Sequence, residues 1–321
     1  MDSAEPFHAL VIGGGPAGLS AALTLARQLH TVVVFDSSSY RNATSPHMHT
    51  VLTWDHKDSN DFRGVARQNI LDGYETVQFV NAELKSIRKT EKEIFEVIGD
   101  GEGKRWIGRK VVLATGSTDI FPEIEGYGEC WSKGIFHCLF CHGYEERNAP
   151  SSGVLAIGDV ANVEHAMHFA RNAAQLTPKK ATIYTNGDEK LAATIAERIK
   201  SSPSFHVDSR EIVRLEKGLH EAEVIIHFRD STTSTEGFLG HKPSNGLRGD
   251  FAKQLGLEIT PQGDVQTAPP FNQTSLRGVF AAGDISSPMK VVNNGLFTGS
   301  LAGVGVSAQL QAEKHGQPSL V

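Results

Sequence analysis

A chain of 321 residues with 37 acidic and 31 basic side chains carries a net charge of −6 and no basic tract able to supply the counterion release that nucleic-acid binding requires. Nucleic acid is therefore not an expected partner. No run of eighteen apolar residues occurs, and MDSAEPFHAL has neither the basic region nor the apolar stretch of a leader, so a soluble cytosolic protein of roughly two domains is expected.

In chain order, HALVIGGGPAGLSAALTLARQLHTVVVFDS reads as a buried strand over Ala9–Ile12, a glycine turn, a helix over Ala17–Leu29 and a strand over Val32–Phe35 that runs into an acid. That is a βαβ unit. The turn comprises Gly13, Gly14, Gly15, Pro16, Ala17 and Gly18. Gly13 permits the sharp bend, Gly15 lets a pyrophosphate approach the backbone, and Gly18 lets helix and strand pack closely, while the helix N-terminus offers free N–H groups. Asp36 stands where a ribose hydroxyl would be accepted. RNATSPHMHT (Arg41–Thr50) follows; His47 and His49 could ligate a metal, but no carboxylate or cysteine stands at ligand spacing, and no metal is expected. Alternating strands then form a small β-meander and end in KVVLATGS (Lys110–Ser117), a buried strand leading into a small-residue turn.

HCLFCHGYEE, residues 137–146, holds Cys138 and Cys141, two of the three cysteines, between His137 and His142. A zinc half-site, a structural disulfide and a redox dithiol all fit the spacing. In the cytosol a staple is the least frequent of the three. Zinc would need two further ligands, for which Cys130, His137 and His142 could be proposed, but no second C-x-x-C exists, so redox leads. The Leu139-Phe140 spacer is expected to keep the pair from bulk water. SGVLAIGDVANVEHAMHFARNAAQLTPKKATIYTNGD (Ser152–Asp188) repeats the strand, turn, helix, strand plan. GVFAAGDIS (Gly278–Ser286) is another buried strand, ending at Gly283-Asp284, and Met289–Gly316 reads as a turn and a helix with small residues on one side. That side either packs within the chain or joins two copies.

The glycine turn, KVVLATGS and GVFAAGDIS together resemble the three FAD-contact segments of the flavoprotein disulfide reductases, and the match over nearly the whole chain resembles the low-molecular-weight thioredoxin reductases. The resemblance implies an α/β protein with two Rossmann-like dinucleotide-binding domains of three-layer ββα type. Residues 1–120 and 241–321 would form a discontinuous FAD domain, and 121–240 an NADPH-type domain carrying the C-x-x-C motif. It implies FAD contacts at the glycine turn, Asp36, Arg41, Asn42, His49, Ala114, Thr115, Gly116, Lys290, Val291 and Val292, with Asp284 on the ribityl chain. It implies a homodimer, and it makes Cys141 the sulfur that attacks or leaves the flavin.

Departures from that family decide the expected direction of electron flow. The second turn reads Gly158-Asp159-Val160-Ala161-Asn162: branched Val160 replaces the second glycine and is expected to keep a pyrophosphate off the backbone, Asp159 adds a charge of the wrong sign, and the strand after it runs into Asn186-Gly187-Asp188-Glu189 with no arginine pair for a 2′-phosphate. A chain that keeps FAD and its dithiol but lacks a nicotinamide site would accept electrons from a substrate dithiol and pass them to O2, giving H2O2. The cysteine motif followed by His-Gly-Tyr-Glu, RNATSPHMHT and the degenerate second turn resemble the FAD-dependent dithiol oxidases related to gliotoxin oxidoreductase, which implies a small-molecule dithiol of the epidithiodiketopiperazine type as substrate. His142, where thioredoxin reductases usually carry Asp, is expected to be the acid-base partner of the cysteines, the alternative being that it caps a following helix. An NADPH-dependent thioredoxin reductase and a flavin-binding protein without turnover remain the competing functions.

Overall fold

The computed structural model describes residues 5–100, 103–178, 180–200 and 202–321; residues 1–4, part of the segment read above for a leader, lie outside that range. The chain begins with β1 (Phe7–Ile12), α1 (Pro16–Ala26), β2 (Val32–Asp36), α2 (Ser59–Gly73), β3 (Val77–Asn81), β4 (Leu84–Lys89), β5 (Phe95–Gly99), β6 (Arg105–Leu113) and β7 (Ser117–Ile120). Its middle carries α3 (Tyr127–Cys130), β8 (Ile135–Phe136), β9 (Ser152–Leu155), α4 (Val163–Leu176), β10 (Ala181–Tyr184), α5 (Glu189–Ile199) and β11 (Phe205–Asp208). Then come β12 (Ile212–Lys217), β13 (Val224–Phe228), β14 (Thr233–Glu236) and β15 (Leu239–Gly240). The last part adds β16 (Ser244–Leu247), α6 (Phe251–Gln254), β17 (Val279–Ala281) and α7 (Val292–His315). The expected first helix stops at Ala26 rather than Leu29, because Leu29 takes a left-handed conformation, φ +58°, as the chain turns toward β2.

Two compact units result, one running to Thr118 and resuming over Asn245–Val321, the other Asp119–Ser244. In the first, the sheet order is β3-β2-β1-β6-β5-β4 with β17 also on β6. β6 is long enough to serve two partners on one edge: Arg105–Gly108 pairs antiparallel with β5, and Val111–Leu113 pairs parallel with β17. Ala9–Ile12, Val32–Phe35 and Val279–Ala281 are apolar without alternation because both faces of the sheet are covered there. Ala9, Val11, Val32, Val34, Val112 and Phe280 face a core shared with α1 and α7. Leu10, Ile12, Val33, Phe35, Val111 and Leu113 face a second core with Phe95 and Val97 of the meander. Each such fully buried Val, Leu or Phe contributes about 1.5–3 kcal/mol.

The small-residue side of α7 lies against α1 within the chain. A Cβ added at Gly299 would stand 2.2 Å from the carbonyl oxygen of Ala17, and one at Gly303 would stand 2.8 Å from Cβ of Thr24. Ser20 Oγ, on α1, donates to the carbonyl of Leu296 at 2.7 Å, which fixes the register of the crossing. The glycine stripe is therefore explained by packing inside the first unit and is not evidence for a dimer face.

The second unit has a parallel sheet, β11-β10-β9-β15-β8, and an antiparallel sheet, β12-β13-β14. Helix α4 packs Ala166, Ala170 and Ala173 into its main core.

This packing yields a paired stability test. Gly299→Ala forces two backbones apart and should cost about 1–3 kcal/mol. Gly64→Ala, on an exposed position of α2 with nothing within 4 Å of the added Cβ, should stabilise by about 0.5–1 kcal/mol. Thermal melting of the two variants measures both, and equal shifts would refute the assigned contact.

Candidate active site

At the first glycine turn the three spaced glycines separate into two kinds. A Cβ at Gly13 (φ +121°) would lie 2.1 Å from the Ala114 carbonyl oxygen, and one at Gly18 would lie 1.8 Å from that of Gly13. Both are required by the fold itself. Gly15 has nothing within 4 Å of the position its Cβ would take, so no contact inside the protein explains it. Gly15 is also the N-cap of α1, which carries no side-chain cap and no acid in its first turn. The N–H groups there are left for an outside acceptor, and a dinucleotide pyrophosphate fits that donor set. Gly14 faces Asp36, whose carboxylate would be 2.3 Å from an added Cβ.

Asp36 is buried, with Oδ1 accepting from the Ser38 N–H at 2.9 Å and Oδ2 accepting from the Tyr40 hydroxyl at 2.6 Å. Burial, then the bond to Asp36, pushes the Tyr40 phenol up to about 12. Tyr40 in turn stacks under the Arg63 guanidinium, 3.7 Å from the ring centroid, and Arg63 donates to the Asn42 side-chain oxygen at 3.1 Å. Asn42 thus anchors the loop through Arg63. Arg41 meets Asp284 at 3.5 Å, bringing together two of the residues expected to contact the cofactor. Ala114 is buried, Thr115 has a buried hydroxyl with no hydrogen-bond partner, and Gly116 sits at φ +75° with open space around its Cβ position. The orphaned hydroxyl and the open cradle fit a group such as FAD.

Lys290 engages its side chain within the chain. Its ammonium donates to Asp264 Oδ1 at 2.8 Å and to the carbonyls of Asp284 and Ser287 at 2.7 and 3.1 Å, so its charge ties the Gly283–Ile285 turn in place. Only its backbone remains for a ligand. Val291 is the N-cap of α7 without a side-chain cap, and Val292 begins the helix, so this N-terminus too is open. His49 packs near Asp55 and His56, with Nδ1 3.5 Å from Asp55 Oδ1.

Cys138 and Cys141 form a disulfide, which removes the zinc half-site reading for the oxidised chain. The pair lies in a turn: the Cys141 and His142 N–H groups donate to the Cys138 carbonyl at 3.1 and 3.0 Å, and the Cys141 N–H also reaches Cys138 Sγ at 3.1 Å. No helix occurs between Phe136 and Ser152, so His142 has no helix to cap. Instead its Nε2 meets Glu146 Oε1 at 3.0 Å, and its ring stacks on Phe136 with centroids 4.0 Å apart. The carboxylate selects the tautomer in which Nε2 carries the hydrogen, leaving the Nδ1 lone pair to accept a proton. The expected shielding by the spacer is half right: Leu139 is buried, but Phe140 is 68% exposed, and both cysteines are half-buried. His137 lies beside Trp131.

The second nucleotide turn is built in the opposite sense from the first. Asn162 caps α4 with its own side chain, accepting from the His165 N–H at 2.9 Å, and the His165 ring is bonded to the Asp159 carbonyl at 2.8 Å. Asp159 adds a carboxylate at the turn, held by the Ser244 hydroxyl at 2.9 Å. The expected role of Val160 is corrected: its side chain is buried in the core, and it is the Asn162 cap and Asp159 charge that disfavour a phosphate. After β10, the Asn186 side chain accepts from the Ile212 N–H, Asp188 caps α5, and Arg210 is engaged by Asp208.

The pyridine nucleotide-disulphide oxidoreductase model matches residues 7–299. The chain belongs to the pyridine nucleotide-disulphide oxidoreductase family. Within it, the chain is 47% identical to thioredoxin reductase aclD of Aspergillus oryzae, over 98% of this chain and 100% of that one. It is 42% identical to thioredoxin reductase tcpT of Claviceps purpurea, over 100% and 99%. The crystal structure of an oxidoreductase from Agrobacterium tumefaciens matches with a TM-score of 0.83 at 30% identity, covering 96% of this chain and 99% of that chain. The two-domain thioredoxin reductase architecture and the oxidoreductase class follow. Among the described residues no helix is long and apolar enough to cross a membrane.

Glu146 was missed by sequence reading, although its i,i+4 spacing from His142 was visible in HCLFCHGYEE; that spacing implies contact only on a helix, and here a turn produces it. In this pyridine nucleotide-disulphide oxidoreductase Cys130 is fully buried, and burial pushes its thiol up to about 11. Alkylation of the native oxidised chain with iodoacetamide at pH 8 should therefore leave Cys130 unmodified, and prior reduction should expose two reactive thiols, Cys138 and Cys141. Mass mapping reads the result, and a labelled Cys130 would contradict its burial.

Proposed function

We propose that the protein is an FAD-dependent oxidase of small-molecule dithiols, closing an intramolecular disulfide in a substrate of the epidithiodiketopiperazine type while O2 is reduced to H2O2. The observation that carries this reading is the contrast between the two nucleotide turns: Gly15 leaves α1 open, whereas Asn162 closes α4. That contrast supports a phosphate site for one dinucleotide and speaks against a second. FAD would be held by the Gly13–Gly18 turn, Asp36, the Ala114–Gly116 turn, Arg41, Asp284 and the open end of α7.

In the proposed reaction His142 Nδ1 takes a proton from the incoming thiol, and the resulting thiolate attacks one sulfur of the Cys138–Cys141 disulfide. The S–S bond breaks as a mixed disulfide forms. The released enzyme thiolate takes that proton back from His142, which then accepts the proton of the second substrate thiol as that sulfur displaces the other enzyme sulfur, leaving a substrate disulfide and two reduced cysteines. Bound FAD supplies the two-electron acceptor that restores the pair and the route to O2, so the balance is one dithiol plus O2 to one disulfide plus H2O2. Glu146 and Phe136 hold the imidazole in place throughout. The exposed Phe140 and Tyr144 offer an apolar approach for a small ring compound rather than a charged docking surface for a protein.

The relatives named thioredoxin reductases support a second reading, an NADPH-dependent reductase, and one experiment separates the two. Under anaerobic conditions a small dithiol such as dithiothreitol should bleach the flavin, whereas NADPH should not; bleaching by NADPH overturns the oxidase reading. Cys141→Ser should abolish bleaching by the dithiol. His142→Ala should slow it by about 10²–10⁴-fold near neutral pH, the range of general acid-base catalysis. An unchanged rate in that variant would remove His142 from the reaction.

A further inference from the structure

We propose that His49, Asp55 and His56 form a binding site for a divalent transition metal ion, with Zn2+ as its best-fitting occupant. The three side chains come from one short loop after β2. That loop is closed where the Met48 N–H donates to the Lys57 carbonyl at 2.7 Å and the His56 N–H donates to the Met48 carbonyl at 2.9 Å. Asp55 sits between the two imidazoles. Its Oδ1 is 3.5 Å from His49 Nδ1 and its Oδ2 is 3.3 Å from His56 Nε2, while the two rings meet edge to face with centroids 4.7 Å apart. One ligand atom from each residue lies within 4.8 Å of the other two.

Those separations have a direct meaning. Zinc bonded to nitrogen and oxygen at about 2.0–2.2 Å in a tetrahedron holds its ligands about 3.3–3.6 Å apart. The two separations involving Asp55 are of that size but run to different carboxylate oxygens, so metal entry requires the His49 and His56 rings to close on one ion beside that carboxylate. Two imidazoles and a carboxylate suit zinc, whereas calcium and magnesium demand more oxygen ligands and copper(I) prefers sulfur. Three protein ligands leave one coordination position to solvent. His47, the other histidine of HMH, lies outside the group, its ring centroid 6.4 Å from that of His49. The carboxylate that the sequence lacked at ligand spacing is six residues downstream, and only the closing of the loop brings it back.

The site is coupled to the rest of the first unit. Asp55 Oδ1 accepts from the Thr50 N–H at 2.9 Å, and the Thr50 carbonyl accepts from Asn293 at 2.8 Å, in the first turn of α7. An ion on Asp55 would therefore brace the loop against that helix and raise the melting temperature of the metal-loaded protein.

The test uses the full-length oxidised flavoprotein, treated with EDTA and desalted, then titrated calorimetrically with ZnCl2. One ion should bind per chain. Asp55→Asn and His56→Gln, both at exposed positions, should each weaken binding roughly tenfold or more, and His47→Gln should leave it unchanged. Melting curves of the metal-free variants matching metal-free wild type establish that the loss is local. X-ray absorption at the zinc edge of wild type should show nitrogen and oxygen neighbours only, a readout that does not depend on any variant. Failure of wild type to bind stoichiometric zinc, equal affinity in all three variants, or sulfur in the coordination shell would each overturn the site.

Discussion

An α-helix begins with N–H groups that have no partner inside the helix, and the protein must either cap them itself or leave them to a ligand. The two βαβ turns of this chain make opposite choices. At α1 the N-cap is Gly15, which has no side chain to offer and no neighbour within 4 Å of the space a Cβ would fill. At α4 the N-cap is Asn162, whose amide oxygen satisfies the His165 N–H while its amide nitrogen bonds the Asp159 carbonyl. The same sequence plan thus yields one end left open to an anion and one where Asn162 caps the His165 N–H and Asp159 adds a carboxylate. The proposed direction of electron flow rests on that difference.

The open end is positioned by packing rather than by local preference. Glycines spaced four apart on α7 let it approach α1 closely, and Thr298, on the same helix, accepts the Gly283 N–H through its hydroxyl at 2.9 Å. This bond sets the turn that carries Asp284 directly from the helix that fixes α1. Lys290 adds a second tie by bonding the Asp284 and Ser287 carbonyls and the buried Asp264. The glycine turn, Asp284 and the start of α7 are therefore parts of one rigid arrangement, and Arg41 closes it from the loop side.

Much of this was legible before any coordinates. Continuous apolar runs, glycines at the spacing of a phosphate turn and the C-x-x-C pair all report local requirements, and local requirements are written in consecutive residues. What could not be read were contacts made by chain reversal. The engagement of Asn42 by Arg63, the full use of the Lys290 ammonium and the return of Asp55 to His49 each join residues through loops with no periodic signal. Val160 shows the same limit from the other side: its branched side chain looked like a barrier to phosphate, and only the fold reveals that it points into the core.

The disulfide turn shows how a site can be prepared without a helix. Dithiol pairs commonly rely on a helix N-terminus to favour the thiolate. Here no helix follows the pair, and a single N–H, from Cys141, is directed at Cys138 Sγ. The proton removed from a thiol needs a separate destination, and the ring of His142 is fixed on two sides, by the Phe136 face and by Glu146 at Nε2. A ring so held presents Nδ1 in one orientation with its lone pair available. In the proposed reaction the sulfur chemistry and the proton would thus fall to different residues of the same turn.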